Sequence, residues 1–332
     1  MVKAFSLFSG GLDSLLAARV VMEQGVEVVA LHFITPFFGY KNKGKEAQAA
    51  EDFKKKYGLS VRIIDVSPEY IEMVKKPVYG YGKNFNPCLD CKIFMMKKAW
   101  SLMLDEGADF IISGEVLGQR PMSQRRDAMS IVERDSGLKG YLLRPLCAKL
   151  LPSTIPEEKG LIDREKLYSF SGRSRKGQMA LAERFGIKDY ATPAGGCMLT
   201  DPILSKRIQE LLYKNEGAVD ARDIQLLTVG RFFKFPAGSL HVGRNEKDNE
   251  KLLTLASGKE IIIRAIDIPG PISVFRGEPT EGELELAARI TARYSDNRGL
   301  DSVAINISSG QETRTIEVRP APVSLVEELQ AG

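Results

Sequence analysis

Short apolar runs alternate with longer segments of helical periodicity through the first two thirds of the sequence. The apolar runs predict strands at Val2–Phe8, Val26–Phe33, Val61–Val66, Asp109–Glu115 and Tyr141–Leu146. The segments between them predict helices at Ser14–Glu23, Lys45–Tyr57, Lys92–Glu106 and Gln124–Arg134. Strands that are apolar on both faces and separated by helices indicate a parallel sheet, since crossover connections cover both faces. We therefore expect a doubly wound α/β domain that binds ligands at the carboxyl ends of its strands.

The pattern changes after about residue 200. A helix is expected at Pro202–Asn215, followed by strands at Gln225–Phe235, Leu240–Gly243, Glu260–Ile266, Val303–Ser308 and Thr313–Arg319, and by helices at Asn245–Ser257 and Glu281–Tyr294. This mixture predicts a second, smaller α+β domain. The expected division is 1–200 for the α/β domain, 201–222 for a connecting helix or linker, and 223–332 for the second domain.

Composition excludes several classes of protein. The 332 residues are 43% hydrophobic and 27% charged, which is typical of a globular chain and not of a disordered one. No run approaches the about 18 to 20 apolar residues that span a bilayer, so we expect a cytoplasmic protein with no membrane partner. His32 and His241 are the only histidines, which argues against catalysis built on several imidazoles. The net charge of +4 arises in the first 200 residues, where an anionic partner is expected.

The segment Ser9-Gly10-Gly11-Leu12-Asp13-Ser14 joins the first predicted strand to the first predicted helix. Adjacent glycines let the backbone turn tightly and bring its N–H groups against an anion. The hydroxyl groups and the helix N-terminus add further donors and a favourable dipole. This loop is neither a Walker A loop, since no lysine follows the glycines, nor a dinucleotide-binding GxGxxG. It predicts a phosphate site.

The SGGLDS segment resembles the signature of the PP-loop ATP pyrophosphatases, which belong to the adenine nucleotide alpha hydrolase-like folds. That family cleaves ATP between its α and β phosphates, adenylates a carbonyl oxygen and lets a nucleophile displace AMP. The resemblance implies that Ser9, Gly10, Gly11, Asp13 and Ser14 bind pyrophosphate, with Mg²⁺ offsetting its charge. It also implies adenine recognition near the ends of two strands, by His32, Phe33, Ser113 and Gly114.

Three of the four cysteines are candidates for chemistry. Cys88 and Cys91 open a predicted helix on one face, where the helix dipole is expected to lower the pKa of a thiol. Cys197 follows the glycine pair of Thr192-Pro193-Ala194-Gly195-Gly196, while Cys147 is interpreted as a small buried residue. A structural zinc site needs four ligands and is the less favoured interpretation. Metal binding or sulfur chemistry is expected instead of disulfides.

The segment Asn86-Pro87-Cys88-Leu89-Asp90-Cys91-Lys92 resembles the cysteine element of the tRNA thiouridine synthases of the ThiI/MnmA type. In the resembled families two cysteines support a persulfide and disulfide route, whereas three bind a 4Fe-4S cluster with one iron open to sulfide. The resemblance implies that Cys88, Cys91 and Cys197 hold such a cluster and, with Asp13, are the catalytic residues. Persulfide chemistry at the same cysteines is the alternative.

Two segments are expected to contact RNA phosphates. In the first domain, Arg173, Arg175 and Lys176 flank small hydroxyl residues close to Cys197 in sequence. In the second, the segments His241–Glu250 and Asp267–Pro271 resemble turns of the RNA-binding domain of the NFACT proteins of ribosome quality control. This resemblance implies contacts by Arg244 and Lys247, although the domain is slightly acidic overall.

These features together predict an ATP-dependent tRNA sulfurtransferase that adenylates a uridine carbonyl and replaces its oxygen with sulfur, giving 4-thiouridine or 2-thiouridine. The expected partners are tRNA and a sulfur donor, either sulfide or the persulfide of a cysteine desulfurase, and the chain is a candidate homodimer. Two alternatives stay open. One is a PP-loop enzyme that acts on a small molecule, and the other is a non-catalytic, ribosome-associated factor that binds RNA and ATP.

Overall fold

A computed structural model describes residues 1–190, 197–214 and 219–331 of the chain. The chain divides into two compact units, Met1–Ala221 and Arg222–Gly332. Residues 191–196, which include Gly195 and Gly196 of the Cys197 segment, lie outside the described residues. Among the described helices, none has both the length and the apolar character needed to cross a bilayer.

The first unit is built on a five-stranded parallel sheet in the order β3-β2-β1-β4-β5. Its strands are β1 (Lys3–Leu7), β2 (Glu27–Ile34), β3 (Ser60–Asp65), β4 (Phe110–Ile112) and β5 (Leu142–Leu143). The central residues of β1 and β4 are fully buried because helices cover the sheet. The predicted parallel α/β sheet is therefore confirmed. Its strand order reverses between β1 and β4, and ligands bind at such a switch point in doubly wound sheets.

Eight helices of the first unit have the following bounds: α1 (Leu12–Met22), α2 (Glu46–Tyr57), α3 (Ser67–Lys75), α4 (Cys88–Glu106), α5 (Arg126–Ser136), α6 (Ile155–Glu158), α7 (Lys176–Arg184) and α8 (Pro202–Lys214). The helix α1 packs its leucine and alanine side chains into the main core of the sheet, which makes it almost wholly buried. The helix α4 ends at Gly107, whose left-handed backbone (φ +65°) closes the last turn.

The second unit begins within helix α9 (Ala221–Leu226) and contains a six-stranded antiparallel sheet in the order β11-β10-β8-β9-β7-β6. Its strands are β6 (Arg231–Phe235), β7 (Gly238–Val242), β8 (Ile261–Ala265), β9 (Ser273–Gly277), β10 (Val303–Ser309) and β11 (Glu312–Val318). Its other helices are α10 (Glu246–Leu255), α11 (Glu281–Arg293) and α12 (Val323–Ala331). Buried residues of α11 and of the sheet form one core, which confirms the predicted α+β domain.

The strand predicted at Gln225–Phe235 is wrong in its first half. Gln225 and Leu226 end α9, and the strand starts only at Arg231. A short apolar run does not distinguish a strand from a buried helix, and here the run is divided by Gly230. A Cβ atom at Gly230 would lie 2.4 Å from the Val242 carbonyl oxygen, so the chain needs glycine where it enters the sheet.

Candidate nucleotide and cysteine site

The glycine-rich loop follows β1 and leads directly into α1 at the switch point of the sheet. Gly10 has a φ of +77°, which favours glycine and turns the chain. The Ser14 hydroxyl donates to the Gly11 carbonyl oxygen at 2.8 Å and accepts the Ser9 N–H at 3.3 Å, which folds the loop onto the helix start. The N–H groups at this end of α1 and its dipole together favour an anion.

Gly114 permits the close approach of the segment after β4 to this loop. A Cβ atom at this position would lie 2.6 Å from the Asp13 carbonyl carbon and oxygen and 2.6 Å from the Ser14 backbone nitrogen. These are backbone atoms, which cannot rotate away as a flexible side chain can. Ser113 is buried, and its hydroxyl accepts the Glu115 N–H at 3.3 Å. Gly114 thus packs against the backbone of the loop, and adenine recognition by Ser113 and Gly114 stays a prediction.

The Asp13 carboxylate lies in a polar network at the start of α1. Its Oδ2 atom accepts hydrogen bonds from Gln119 Nε2 at 2.7 Å and from Arg175 Nη2 at 2.8 Å. Arg175 was expected to contact RNA, which stays a prediction, and the structure places its guanidinium beside the phosphate loop. No sequence signal pairs residues this far apart in the chain.

His32 and Phe33 lie near the end of β2 and are both buried. His32 Nδ1 donates to the Phe8 carbonyl oxygen at 2.9 Å, and His32 Nε2 accepts from Asn42 Nδ2 at 3.1 Å. Burial lowers the pKa of His32, which keeps the ring neutral near pH 7. Both ring nitrogens are thus used inside the protein, and a role for His32 and Phe33 in adenine binding stays a prediction.

The three candidate cysteines lie in one neighbourhood of the first unit. Cys88 begins α4, Cys91 lies one turn further, and Cys197 precedes a short 3-10 turn at Met198–Thr200. Asn84 Nδ2, just before α4, donates to the Thr200 carbonyl oxygen at 2.7 Å, which ties the Cys197 segment to the Cys88 segment. Cys88 and Cys197 are both close enough to Cys91 to raise its pKa. The structure therefore brings together cysteines about a hundred positions apart.

Tyr70 of α3 closes one side of this cysteine group. It is almost fully buried, and its hydroxyl donates to the Cys91 sulfur. Burial raises the pKa of Tyr70 well above its usual value, and the nearby thiols raise it further. Tyr70 therefore stays a neutral donor at the cysteine site. Sequence reasoning missed it, because it lies in a helix that carries no motif.

The expectation that a helix N-terminus lowers the thiol pKa is wrong for Cys91. Burial raises the pKa of Cys91 to about 11, and it also raises the pKa of Cys197. Desolvation disfavours the thiolate more than Lys92 and the Tyr70 hydroxyl favour it. In the metal-free protein both thiols are therefore protonated near neutral pH.

The donor set fits an iron–sulfur cluster in its chemistry. It consists of three thiols beside a buried hydroxyl, and iron–sulfur clusters are held by cysteine thiolates. Within the described residues, no group of three or more His, Cys, Asp or Glu side chains already stands at the spacing of a metal site. Fourfold protein ligation of zinc has no support, since Cys147 is buried separately and its thiol donates to the Glu115 carbonyl oxygen at 3.3 Å.

A buried ionic group joins the cysteine helix to the edge of the sheet. Glu115 is 2% exposed and pairs with Arg144 Nε at 2.9 Å and with Lys92 Nζ at 3.2 Å. Burial alone would raise the pKa of Glu115, but the charges of Lys92 and Arg144 outweigh it and lower that pKa to about 2. Arg144 also pairs with Glu133. Glu115 is therefore an anion that holds Lys92, the residue directly after Cys91.

The remaining residues expected to bind RNA lie at the surface. Arg173 and Lys176 are exposed at the start of α7, and Lys247 is exposed on α10. Arg244 is also exposed, and its Nε donates to Asp248 Oδ2 at 2.7 Å. Their contacts with RNA stay predictions.

The turn that contains Arg244 is explained by its own hydrogen bonds. Asn245 caps α10 by accepting the Asp248 N–H at 3.0 Å. Asn249 Oδ1 accepts the Ile272 N–H at 2.9 Å, and a Cβ atom at Gly243 would lie 2.0 Å from that same oxygen. These residues are therefore needed for the turn itself, whatever its exposed arginine binds.

The first unit is an α/β domain with a parallel sheet and a glycine-rich loop at the switch point of that sheet. Residues 2–149 match the family model described as thiamine biosynthesis protein (ThiI). Residues 230–329 match the model described as NFACT protein RNA binding domain. The chain thus matches a ThiI model in its first part and an NFACT-type model in its second, which confirms both resemblances drawn from the sequence.

Curated relatives named for tRNA thiolation match part of this chain. A probable tRNA sulfurtransferase of Thermococcus kodakarensis is 37% identical over 145 residues, which is 43% of this chain and 36% of the relative. A tRNA-specific 2-thiouridylase MnmA of Petrotoga mobilis is 33% identical over 130 residues, which is 35% of each chain. This chain therefore spans little more than a third of the length of these relatives.

One solved structure similar to this chain is the U34-tRNA thiolase NcsA of Methanococcus maripaludis with its [4Fe-4S] cluster. The similarity extends over 64% of this chain and 69% of that one, at 19% identity and a TM-score of 0.33.

Proposed function

We propose that this protein is an ATP-dependent tRNA sulfurtransferase. In this proposal ATP binds at the Ser9–Ser14 loop, and sulfur is held at the group of Cys88, Cys91 and Cys197. Its support from relatives is the match of residues 2–149 to a ThiI model and the similarity of part of the chain to proteins named for tRNA thiolation.

One structural observation carries the proposal. Two consecutive residues after β4 contact the two halves of the site: Gly114 packs against the backbone of the phosphate loop, and Glu115 holds Lys92 beside Cys91. The nucleotide loop and the cysteine helix thus meet at the same edge of the sheet. An enzyme that activates an atom with ATP and then delivers sulfur to it needs this adjacency.

The proposed reaction has two steps. The uracil carbonyl oxygen attacks the α phosphorus of ATP, and pyrophosphate leaves into the loop formed by Ser9, Gly10, Gly11 and Ser14. Sulfur then attacks the activated carbon, and AMP leaves with the original carbonyl oxygen. The loop N–H groups and hydroxyls stabilise charge that develops on the departing pyrophosphate, and Mg²⁺ near Asp13 offsets the charge of the triphosphate.

For the sulfur-handling group, we propose that Cys88, Cys91 and Cys197 hold a 4Fe-4S cluster, which supplies an open iron position for exogenous sulfide. Without a bound metal, burial raises the pKa of Cys91 and Cys197, so iron would bind these cysteines with release of their protons. The Tyr70 hydroxyl orients the sulfur of Cys91. The sulfur donor is sulfide or a cysteine desulfurase persulfide. Assembly as a homodimer stays a prediction.

The RNA partner is tRNA. In this proposal its phosphates contact the exposed Arg173 and Lys176 of the first unit and Arg244 and Lys247 of the second. The match of residues 230–329 to an RNA-binding family model supports a role of the second unit in holding RNA. We propose that both units work in the cytoplasm, where tRNA is modified.

The first experiment is mass spectrometry of nucleosides in bulk tRNA from the source organism with and without this gene. The proposal expects one thionucleoside to disappear and to return with the wild-type gene or with Cys147→Ser, but not with Cys197→Ala. If no thionucleoside changes in an organism without a redundant enzyme, the tRNA proposal fails. The protein would then have to use ATP to activate a small-molecule substrate.

A second experiment tests the cluster. Protein purified without oxygen is expected to contain about four iron and four sulfide per chain, as a 4Fe-4S cluster does. The changes Cys88→Ala, Cys91→Ala and Cys197→Ala each remove this content, while Cys147→Ser retains it. A colourless, iron-free preparation with full thiolation activity would favour the persulfide route and leave the tRNA proposal intact.

A further inference from the structure

Arg175 contacts the phosphate loop although 162 positions separate it from Asp13. Its Nη2 donates to Asp13 Oδ2 at 2.8 Å, and the two side chains are only 23% and 17% exposed. The neighbouring Arg173 and Lys176 are exposed. Arg175 is thus turned inward, away from the surface on which an RNA strand would lie.

Hydrogen bonds on both sides hold Arg175 in this position. The Gly172 N–H donates to the Leu117 carbonyl oxygen at 2.8 Å, which joins the segment before α7 to the segment after β4. On the following turn, Gln178 Nε2 donates to Gln119 Oε1 at 3.0 Å. Gln119 Nε2 in turn donates to Asp13 at 2.7 Å, so the start of α7 is fastened to the phosphate loop by two routes.

The ion pair leaves hydrogen-bonding capacity unused on each partner. Asp13 Oδ1 and Arg175 Nε are both buried, and neither has a hydrogen-bond partner among the residues that the structure describes. Leaving a buried donor or acceptor unpaired is costly, and such atoms at a site indicate a missing ligand or ion. Here one atom is an acceptor that suits a cation and the other is a donor that suits an anion.

We propose that Arg175 is a nucleotide ligand that changes partners when ATP binds. Without nucleotide its guanidinium pairs with Asp13, and with nucleotide it binds phosphate oxygens while Asp13 turns to Mg²⁺. The inference rests on the proposed function only in placing ATP at the Ser9–Ser14 loop. It reassigns Arg175 from RNA to the nucleotide.

Charge and geometry both favour this exchange. A carboxylate at the phosphate loop repels an incoming triphosphate, and the arginine neutralises it until the phosphates and Mg²⁺ arrive together. The planar guanidinium can offer two parallel N–H groups to a phosphate, and one of its N–H groups is already unpaired.

The test measures binding of α,β-methylene-ATP with Mg²⁺ to the full chain by calorimetry, in the absence of tRNA. We expect Arg175→Ala to weaken binding by about 10- to 100-fold, the range of a lost charge-assisted hydrogen bond or two. Arg175→Lys should recover part of the lost affinity, since lysine keeps the positive charge but lacks the two parallel N–H donors of the guanidinium. Arg173→Ala is the matched control, and it should bind within twofold of wild type.

A second arm omits Mg²⁺ and tests the change of partner. Asp13→Asn should bind the magnesium-free analogue several-fold more tightly than wild type, because the arginine is released from its carboxylate. The double variant Asp13→Asn with Arg175→Ala should not show this increase in affinity. Thermal unfolding accompanies each titration, and Arg175→Gln replaces the alanine variant if the latter does not fold.

The outcomes separate the two proposals. Equal binding by wild type and Arg175→Ala, or an equal loss in Arg173→Ala, overturns the role of Arg175 and leaves the sulfurtransferase proposal standing. An unchanged magnesium-free affinity in Asp13→Asn overturns the exchange. A wild-type protein that binds no nucleotide at all refutes the proposed function itself.

Discussion

Replacing Glu115 with glutamine removes the charge that holds Lys92 and Arg144 at the carboxyl edge of the sheet. Glu115 is 2% exposed, and Arg144 has the same low exposure, so the change leaves a buried cation without its main partner. Deleting one member of a buried ion pair costs about 3 to 5 kcal/mol, because the remaining charge cannot return to water.

The pKa of Glu115 gives an independent magnitude. A fall from the usual 4.5 to about 2 corresponds to about 3 kcal/mol, at roughly 1.36 kcal/mol for each pH unit. Because the folded-state pKa is the lower one, this stabilisation is complete above pH 4.5 and is lost as the pH falls toward 2. Wild type and Glu115→Gln should therefore differ by about 3 kcal/mol at pH 7 and converge in acid.

Urea unfolding at pH 7, 5, 4 and 3.5 measures this difference. Trp100 is the only tryptophan of the chain and lies on α4, so its fluorescence reports the first unit. Glu165→Gln is the control: Glu165 is 85% exposed and pairs with Lys149 at 3.0 Å, for which about 0 to 1 kcal/mol is expected. A Glu115→Gln loss no larger than the control's, or a loss independent of pH, would refute the reasoning.

Three further changes test other parts of the structure. Gly114→Ala places a Cβ 2.6 Å from backbone of the phosphate loop and should destabilise the first unit by about 1 to 3 kcal/mol in the same fluorescence titration; a stability equal to that of wild type would contradict this. In iron-free protein, the rate at which iodoacetamide alkylates Cys91 should keep rising with pH up to about pH 11, because only the thiolate reacts. A rate that stops rising below pH 9 would argue against a buried thiol. Asn249→Ala leaves the Ile272 N–H unpaired and should cost the second unit about 1 to 3 kcal/mol by calorimetry; an unchanged transition would show that the turn does not need this bond.

The phosphate loop and the parallel sheet could be read from the sequence because their signals are local. A strand, two adjacent glycines and a helix follow one another within the segment 2–23, and each fixes its own backbone geometry. The grouping of Cys88 and Cys91 is equally local, since both lie on one turn of α4. For Cys197, only the resemblance to a known family supplied the link.

Side-chain partners were the part that local signals missed. The basic segment 173–176 reads as one surface cluster, yet the fold turns Arg175 inward to Asp13 while Arg173 stays exposed. The helix dipole argued for a reactive Cys91, but burial outweighs the dipole and raises the thiol pKa. Both differences arise from desolvation and from partners in distant segments, and the contact of Arg175 with RNA stays a prediction.

The sequence by itself determined which backbone shapes this chain can form and which chemical groups it carries: a strand–loop–helix for phosphates and cysteines for sulfur or iron. Only the tertiary structure decided which of those groups meet, because packing joins the segment after β4 to the phosphate loop through Gly114 and to Lys92 through Glu115. It also decided their charge states. Local geometry depends on neighbouring residues, whereas the pKa of a side chain and its partner depend on the solvent that long-range packing excludes.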